Sequence, residues 1–148
     1  MFFETIRAQG TSASADHCSP ALAAGDFLAV SGQLPIDPCT GTLCSDVIGE
    51  QVIQCLKNLY SLLHAKGIGM RHIMSMRIYL TDMNDAQLVD ELLAKTFEDG
   101  YPAVSYIGVN GLLKEAKIQI EAFAIDTRAL EVLCAGEEHG SCEGCGGC

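Results

Sequence analysis

The chain is short of positive charge: nine lysines and arginines stand against 19 aspartates and glutamates, a formal net charge of −10. A surface this acidic repels phosphate backbones instead of releasing their counterions, which argues against nucleic-acid binding and against docking on anionic membranes. The sequence also lacks any apolar run near the roughly 18 residues that span a bilayer, and no basic segment leads into a signal-peptide core at its start. Internal repeats and interdomain linkers are absent too. These absences predict a soluble, cytoplasmic protein. What is present, 148 residues of which 49% are apolar, is enough to build the core of one domain.

Eight cysteines would suggest a disulfide scaffold in a short secreted chain. Here Cys18, Cys39, Cys44 and Cys55 are dispersed while Cys134, Cys142, Cys145 and Cys148 crowd the end. Without a secretion signal, reduced thiols or a metal site fit this pattern better than a disulfide framework.

The chain is organised around Lys117–Asp126. Side chains alternate along a strand, so Ile118, Ile120, Ala122 and Ala124 line one face while Lys117, Gln119, Glu121, Phe123 and Ile125 line the other. That second face turns from polar to apolar at Glu121. A carboxylate at such a boundary on a rigid element is placed for proton transfer, and the competing reading is a strand-end glutamate paired with a cation.

Taken in order, Phe2 to Arg7 reads as a strand, Gly10 to Pro20 as a loop, and Phe27 to Pro35 as an apolar strand interrupted by Gly32. Gly32 marks either close approach by a ligand or another backbone, or a β-bulge. Asp46 to Lys66 carries an apolar stripe at helical spacing with Asp46 as cap and Gly67 as stop. Cys55 lies in that stripe and reads as core. Arg71 to Leu80 alternates Met74, Met76, Ile78 and Leu80 against Ile73, Ser75, Arg77 and Tyr79, a strand with one apolar face. A second helix over Asn84 to Phe97 buries Leu88, Val89, Leu92, Leu93 and Phe97. Ala103 to Val109 is a strand, and the organising strand follows. This order predicts an α+β layer, a mixed sheet with two helices packed on one face. The other face, of mixed polarity, is suited to an oligomer interface with enclosed clefts.

Val30-Ser31-Gly32-Gln33-Leu34-Pro35, Tyr79-Leu80-Thr81-Asp82-Met83, Pro102-Ala103 with Ser105, and Ile120-Glu121-Ala122 with Ala124 together resemble the Rid/YjgF family of reactive-intermediate deaminases. The resemblance covers about residues 15 to 126. It implies a chorismate-mutase-like protomer that assembles as a homotrimer with small-molecule clefts between subunits. It also implies hydrolysis of enamines and imines such as 2-aminoacrylate, with no metal or organic cofactor for the core domain.

Carried over by position, Gly32 matches the family's cleft glycine and Glu121 the carboxylate that activates water, and Ser105 closes the Pro-Ala-x-Ser motif. Asp90 stands where many members have asparagine. Val104 stands where active members have the arginine that forks onto the substrate carboxylate, and Cys18 where they have a tyrosine. Bonds to charged groups contribute roughly 1.5 to 3 kcal/mol each, so loss of that arginine is expected to weaken capture of imino acids on the order of ten- to a hundred-fold. Arg77, Lys114 and Lys117 are candidate replacement cations. Cys18 reads either as a nucleophile activated by a neighbour such as His17 or as an inert small side chain.

The domain is expected to occupy residues 1–126, leaving 127–148 as a Cys/Gly/Glu-rich tail. Cys142-x-x-Cys145-x-x-Cys148 with Cys134 or His139 supplies a tetrahedral ligand set that fits zinc or an iron–sulfur cluster. The alternative is a redox-labile tail without metal. Two functions follow: an imine or enamine hydrolase with weakened activity on carboxylated substrates, or a non-enzymatic ligand-binding or sensing trimer whose tail carries metal or redox chemistry. A ribonuclease role conflicts with the negative charge.

Overall fold

The computed structural model describes residues 2–9, 11 and 16–137. Its longest element is α1, Ile48–Lys66, where Val52, Cys55, Leu56, Leu59, Leu62 and Leu63 recur at helical spacing and are all buried. Asp46 does not cap it. Val47 holds the N-cap position without a side-chain bond, and Ser45 does the local bracing: its Oγ accepts the Val47 N–H at 2.9 Å and its carbonyl accepts Gln51 Nε2 at 2.8 Å. Gly67 ends the helix as expected, with φ of 84° and its N–H on the His64 carbonyl at 2.8 Å.

The strands are β1 (Glu4–Ile6), β2 (Ala21–Ala24), β3 (Phe27–Gln33), β4 (Ile73–Leu80), β5 (Ala103–Gly108) and β6 (Ile118–Ile125). They form one sheet in the order β1-β2-β3-β6-β4-β5, antiparallel except for the parallel β4–β5 pair. The helix α2, Ala86–Thr96, provides that parallel crossover. It is preceded by a 3-10 turn whose first N–H groups are served by Asp82, which accepts the Asn84 N–H at 2.9 Å.

One sheet face supplies Leu28, Val30, Met76, Ile78, Leu80, Ile118, Ile120, Ala122 and Ala124, and all are buried in one core with α1 and with Val89, Leu93 and Phe97. Each fully buried aliphatic side chain there stabilises the fold by about 1.5–3 kcal/mol relative to exposure. Two expected core positions differ. Leu88 is exposed because it faces away from the sheet on α2, and Met74 is exposed while Ile73 is buried. On β4, Ile73 and Ser75 pair with the adjacent β6 residues Ala124 and Phe123, so one residue is extra. That bulge inverts the alternation before Ser75 and turns Met74 outward.

The other face is not covered by any helix among the described residues. It carries Ser75, Arg77, Tyr79, Gln119, Glu121 and Phe123, together with Phe27, which is half exposed and stacks on Phe123 at 5.9 Å between ring centroids.

Beyond Asp126 the chain enters α3, Arg128–Glu137, which the sequence did not foretell. Its first turn docks on the chain after α1. Arg128 forks onto Asp126 at 2.8 and 2.6 Å and lies over Gly67, and Glu131 accepts Arg71 Nη2 at 2.9 Å and Thr127 Oγ1 at 2.8 Å. Leu130, Val132 and Leu133 of the same helix are exposed.

Candidate functional site

Register across three strands builds the site. Arg77 on β4 lies opposite Ser105 on β5 and opposite Glu121 on β6, so the three share the uncovered face in one row. Tyr79 and Gln119 form the next row. Glu121 Oε1 accepts both Arg77 Nη1 at 3.0 Å and Tyr79 OH at 2.8 Å. Both bonds fall on the same oxygen, and Oε2 has no hydrogen-bond partner among the described residues. The carboxylate raises the Tyr79 phenol above its ordinary range, first through the hydrogen bond and then, after burial, through its charge, so the hydroxyl remains a donor. The same bond raises the already high Arg77 pKa, which keeps the guanidinium charged. Ser75, Arg77, Glu121 and Phe123, with Ala29 beside them, line a cavity of about 310 Å³.

Gly32 belongs to this face, and of its two readings the β-bulge is the one the structure shows. Between Val30 and Gln33, β3 advances three positions while β6 steps back from Ala122 to Ile120, which is a bulge at Ser31-Gly32. There is also a close approach, by the Gln119 side chain: a Cβ at position 32 would meet Gln119 Nε2 at 2.1 Å and Cδ at 2.6 Å. The neighbour of Gly32 within the chain is therefore Gln119, with Glu121 one row away. Ser31 anchors the preceding loop, its Oγ donating to the Ser19 carbonyl at 2.6 Å and its N–H to the Pro20 carbonyl at 3.0 Å. Cys18 is exposed on that loop, next in sequence to Ser19.

Of the candidate residues, Glu121, Gly32 and Ser105 come together on the uncovered face. Val104 and Asp90 do not join them within one chain. Val104 pairs with Met76 and shares its face, so it lies on the helix-covered side, where it and Asp90 line a different cavity beside α2. Of the candidate cations, Arg77 reaches the Glu121 cavity, whereas Lys117 Nζ is bonded to the Asp46 carbonyl at 2.6 Å. Tyr79 and Gln119 went unassigned in the sequence, although strand alternation already put them on the faces of Arg77 and Glu121. A larger groove of about 640 Å³ runs along the outer side of α1, past Ile53, Tyr60 and Met70, away from all of these residues.

Cys55 is core, as expected: it is fully buried with Sγ on the Gln33 carbonyl at 3.3 Å, and burial pushes its thiol far up, which makes it inert. Cys134 is exposed on α3, while His139, Cys142, Cys145 and Cys148 lie outside the described residues. Among the described residues no group of three or more histidine, cysteine or acidic side chains is arranged to hold a metal ion, and no helix is long and apolar enough to cross a membrane.

Comparison with known proteins agrees with this architecture. The family model for Endoribonuclease L-PSP matches residues 9–126. A RutC family protein of Pyrococcus horikoshii is 39% identical over 106 residues, which is 72% of this chain and 84% of that protein. The human 2-iminobutanoate/2-iminopropanoate deaminase is 35% identical over 96 residues, 65% of this chain and 70% of the human protein. A solved Rid-family structure from Yersinia pestis superposes with a TM-score of 0.80 at 30% identity, covering 84% of this chain and 99% of that one. Sequence match and superposition agree, and the chain belongs to the Rid/YjgF family.

Proposed function

We propose that the protein hydrolyses imines or enamines to a carbonyl compound and ammonia, in a cleft that a neighbouring copy closes over Glu121 in a homotrimer. Water adds to the C=N carbon as one of its protons passes to the carboxylate and on to nitrogen, and the hydroxyl of the resulting carbinolamine then gives up its proton by the same route as the C–N bond breaks, so both hydrogens of water leave on ammonia and no redox partner is needed. The observation that carries this reading is Glu121 itself. Tyr79 and Arg77 fix its Oε1 at the cavity wall and leave Oε2 unengaged, the arrangement a general base needs. The mixture of exposed Phe27 and Met74 with polar groups on the same uncovered face is what an interface with enclosed water or ligand requires.

Two further features set the substrate range. Val104 in place of the family arginine reduces capture of carboxylated imines such as 2-aminoacrylate. Arg77 keeps guanidinium donors beyond the one given to Glu121 and serves as the residual anchor for such acids. The relative named for 2-imino acid deamination supports the reaction class, and the net charge of −10 favours this over action on RNA.

The test is ammonia release from imines generated in situ by an amino-acid oxidase. Wild-type protein should accelerate it and Glu121→Gln should return it to the protein-free rate. Equal rates with and without wild-type protein would reject the enzyme and leave a ligand-binding module.

A further inference from the structure

The match to the family ends at residue 126, so the shared fold does not call for the chain that follows. That chain is nonetheless tied down where it starts. Arg128 forks onto Asp126, while Glu131 accepts Arg71 Nη2 and Thr127 Oγ1 and stands 3.5 Å from His72 Nε2. These contacts hold the first turn of α3 against the domain. Cys134 is exposed beyond them, as is Leu130 one turn earlier on the same face.

Three more thiols follow in the sequence. Cys142 comes eight positions after Cys134, and Cys145 and Cys148 follow at intervals of three. These three lie outside the described residues, and it is their spacing in the sequence that fits them to one ion: two cysteines separated by two residues are the recurrent chelating pair of tetrahedral thiolate sites. Sulfurs held at about 2.3 Å from one ion lie roughly 4 Å apart, and each residue between Cys134 and Cys142 can span up to about 3.3 Å, so the connection closes with slack. Glycines at 140, 144, 146 and 147 permit the sharp turns that wrapping an ion requires.

Composition also chooses between metals. From Ala135 to Cys148 there is no Val, Ile, Leu, Met, Phe, Tyr or Pro. An apolar shell controls solvent access to an iron–sulfur cluster and tunes its potential, and this segment supplies none. A zinc ion has no redox chemistry to protect and is complete with four ligands. Cys18, Cys39, Cys44 and Cys55 offer no competing site, since among the described residues no three ligating side chains come together. The acidic excess of the chain draws a divalent cation towards it.

We propose that Cys134, Cys142, Cys145 and Cys148 bind one zinc ion per chain, in a tetrathiolate site attached to the domain through α3. Binding releases the thiol protons to solvent and changes no oxidation state. The residues that anchor α3 share nothing with the lining of the Glu121 cavity, so the site stands apart from imine hydrolysis.

The test uses the full-length protein, purified anaerobically under reducing conditions without chelator from zinc-supplemented cells. Elemental analysis should give about one zinc per chain. After removal of zinc, cobalt(II) should give the intense absorption of tetrahedral cobalt–thiolate coordination, and added zinc should abolish it. Cys134→Ser should weaken zinc at least tenfold in competition with a chromophoric chelator, and the Cys142→Ser, Cys145→Ser double variant should lose binding. His139→Ala and Cys39→Ser should bind as wild type. Because all four ligands lie outside the family domain, circular dichroism and thermal melting of the domain should be unchanged in each variant. Zinc below about a tenth of an equivalent with no cobalt–thiolate absorption, a brown protein containing iron and sulfide, one zinc per three chains, or binding that survives the double variant would each overturn the proposal. None of these results depends on whether ammonia release is detected at Glu121.

Discussion

Replacing Gly32 by alanine perturbs the uncovered sheet face at one point with a cost that the structure allows to be worked out. The backbone there is not in the left-handed region, so an alanine is conformationally acceptable and the penalty is steric. The added Cβ would stand 2.1, 2.6 and 2.9 Å from Nε2, Cδ and Cγ of Gln119, and the first two distances are far inside van der Waals contact. Overpacking in a buried position costs typically about 1–3 kcal/mol. Gln119 is flexible and half-buried, so it yields partly, and about 1–2 kcal/mol is expected. At this chain length each kcal/mol moves the melting temperature by about 2–4 °C, so Gly32→Ala should lower it by about 2–8 °C. All three atoms belong to the part of Gln119 that Gln119→Ala removes. In that background Gly32→Ala should cost less than about 0.5 kcal/mol, a coupling of at least about 0.5 kcal/mol, at or beyond the roughly 0.3–0.5 kcal/mol within which independent sites add. Denaturant unfolding of the four proteins of this cycle measures it. The same penalty in both backgrounds would show that Gly32 is required for another reason and that Gln119 is not its partner.

Three further outcomes are expected. Leu59→Ala, at a fully buried position where α1 meets the sheet, should lose about 2–5 kcal/mol of unfolding free energy in urea, and a loss below 1 would contradict the core described here. Asp126 is held by the Arg128 guanidinium down to about 2 from its ordinary 3.8. A lowered carboxylate stabilises the fold above its unfolded pKa, so the melting-temperature advantage of wild type over Asp126→Asn should be constant above pH 5 and close as pH falls from 4 towards 2; an unchanged gap at pH 2.5 would refute the pairing. Arg77→Met should raise KM for carboxylated imines at least tenfold while changing that for uncharged imines much less, and equal effects on both would mean that Arg77 acts only through Glu121.

Much of the fold was legible because burial writes itself into periodicity. Val52, Cys55, Leu59 and Leu63 could only be a helix stripe, and Ile118, Ile120, Ala122 and Ala124 only a strand face. Met74 was misplaced because a single extra residue at the Ile73–Ser75 bulge reverses the alternation, and nothing within β4 signals it. The start of α3 was unreadable for another reason: Arg128 and Glu131 dock through ionic contacts to Asp126 and Arg71, while the apolar residues that would signal an amphipathic helix stay exposed.

For the site, alternation alone put Glu121 with Gln119 and Ser75 with Arg77 and Tyr79. It could not show that these two sets meet, because register between β4 and β6 is a property of the sheet. Nor could the resemblance show that Val104 and Asp90 face away from Glu121 within one chain. Parity on β5 carried that signal, since Val104 and Ser105 must point to opposite sides.

The proposed function requires the sheet face bearing Glu121 to be closed by a second copy. Sedimentation equilibrium at micromolar concentration tests this most directly. A species of three times the protomer mass is the expected result, and a single species of protomer mass across the concentration range would contradict the cleft on which the proposed chemistry depends.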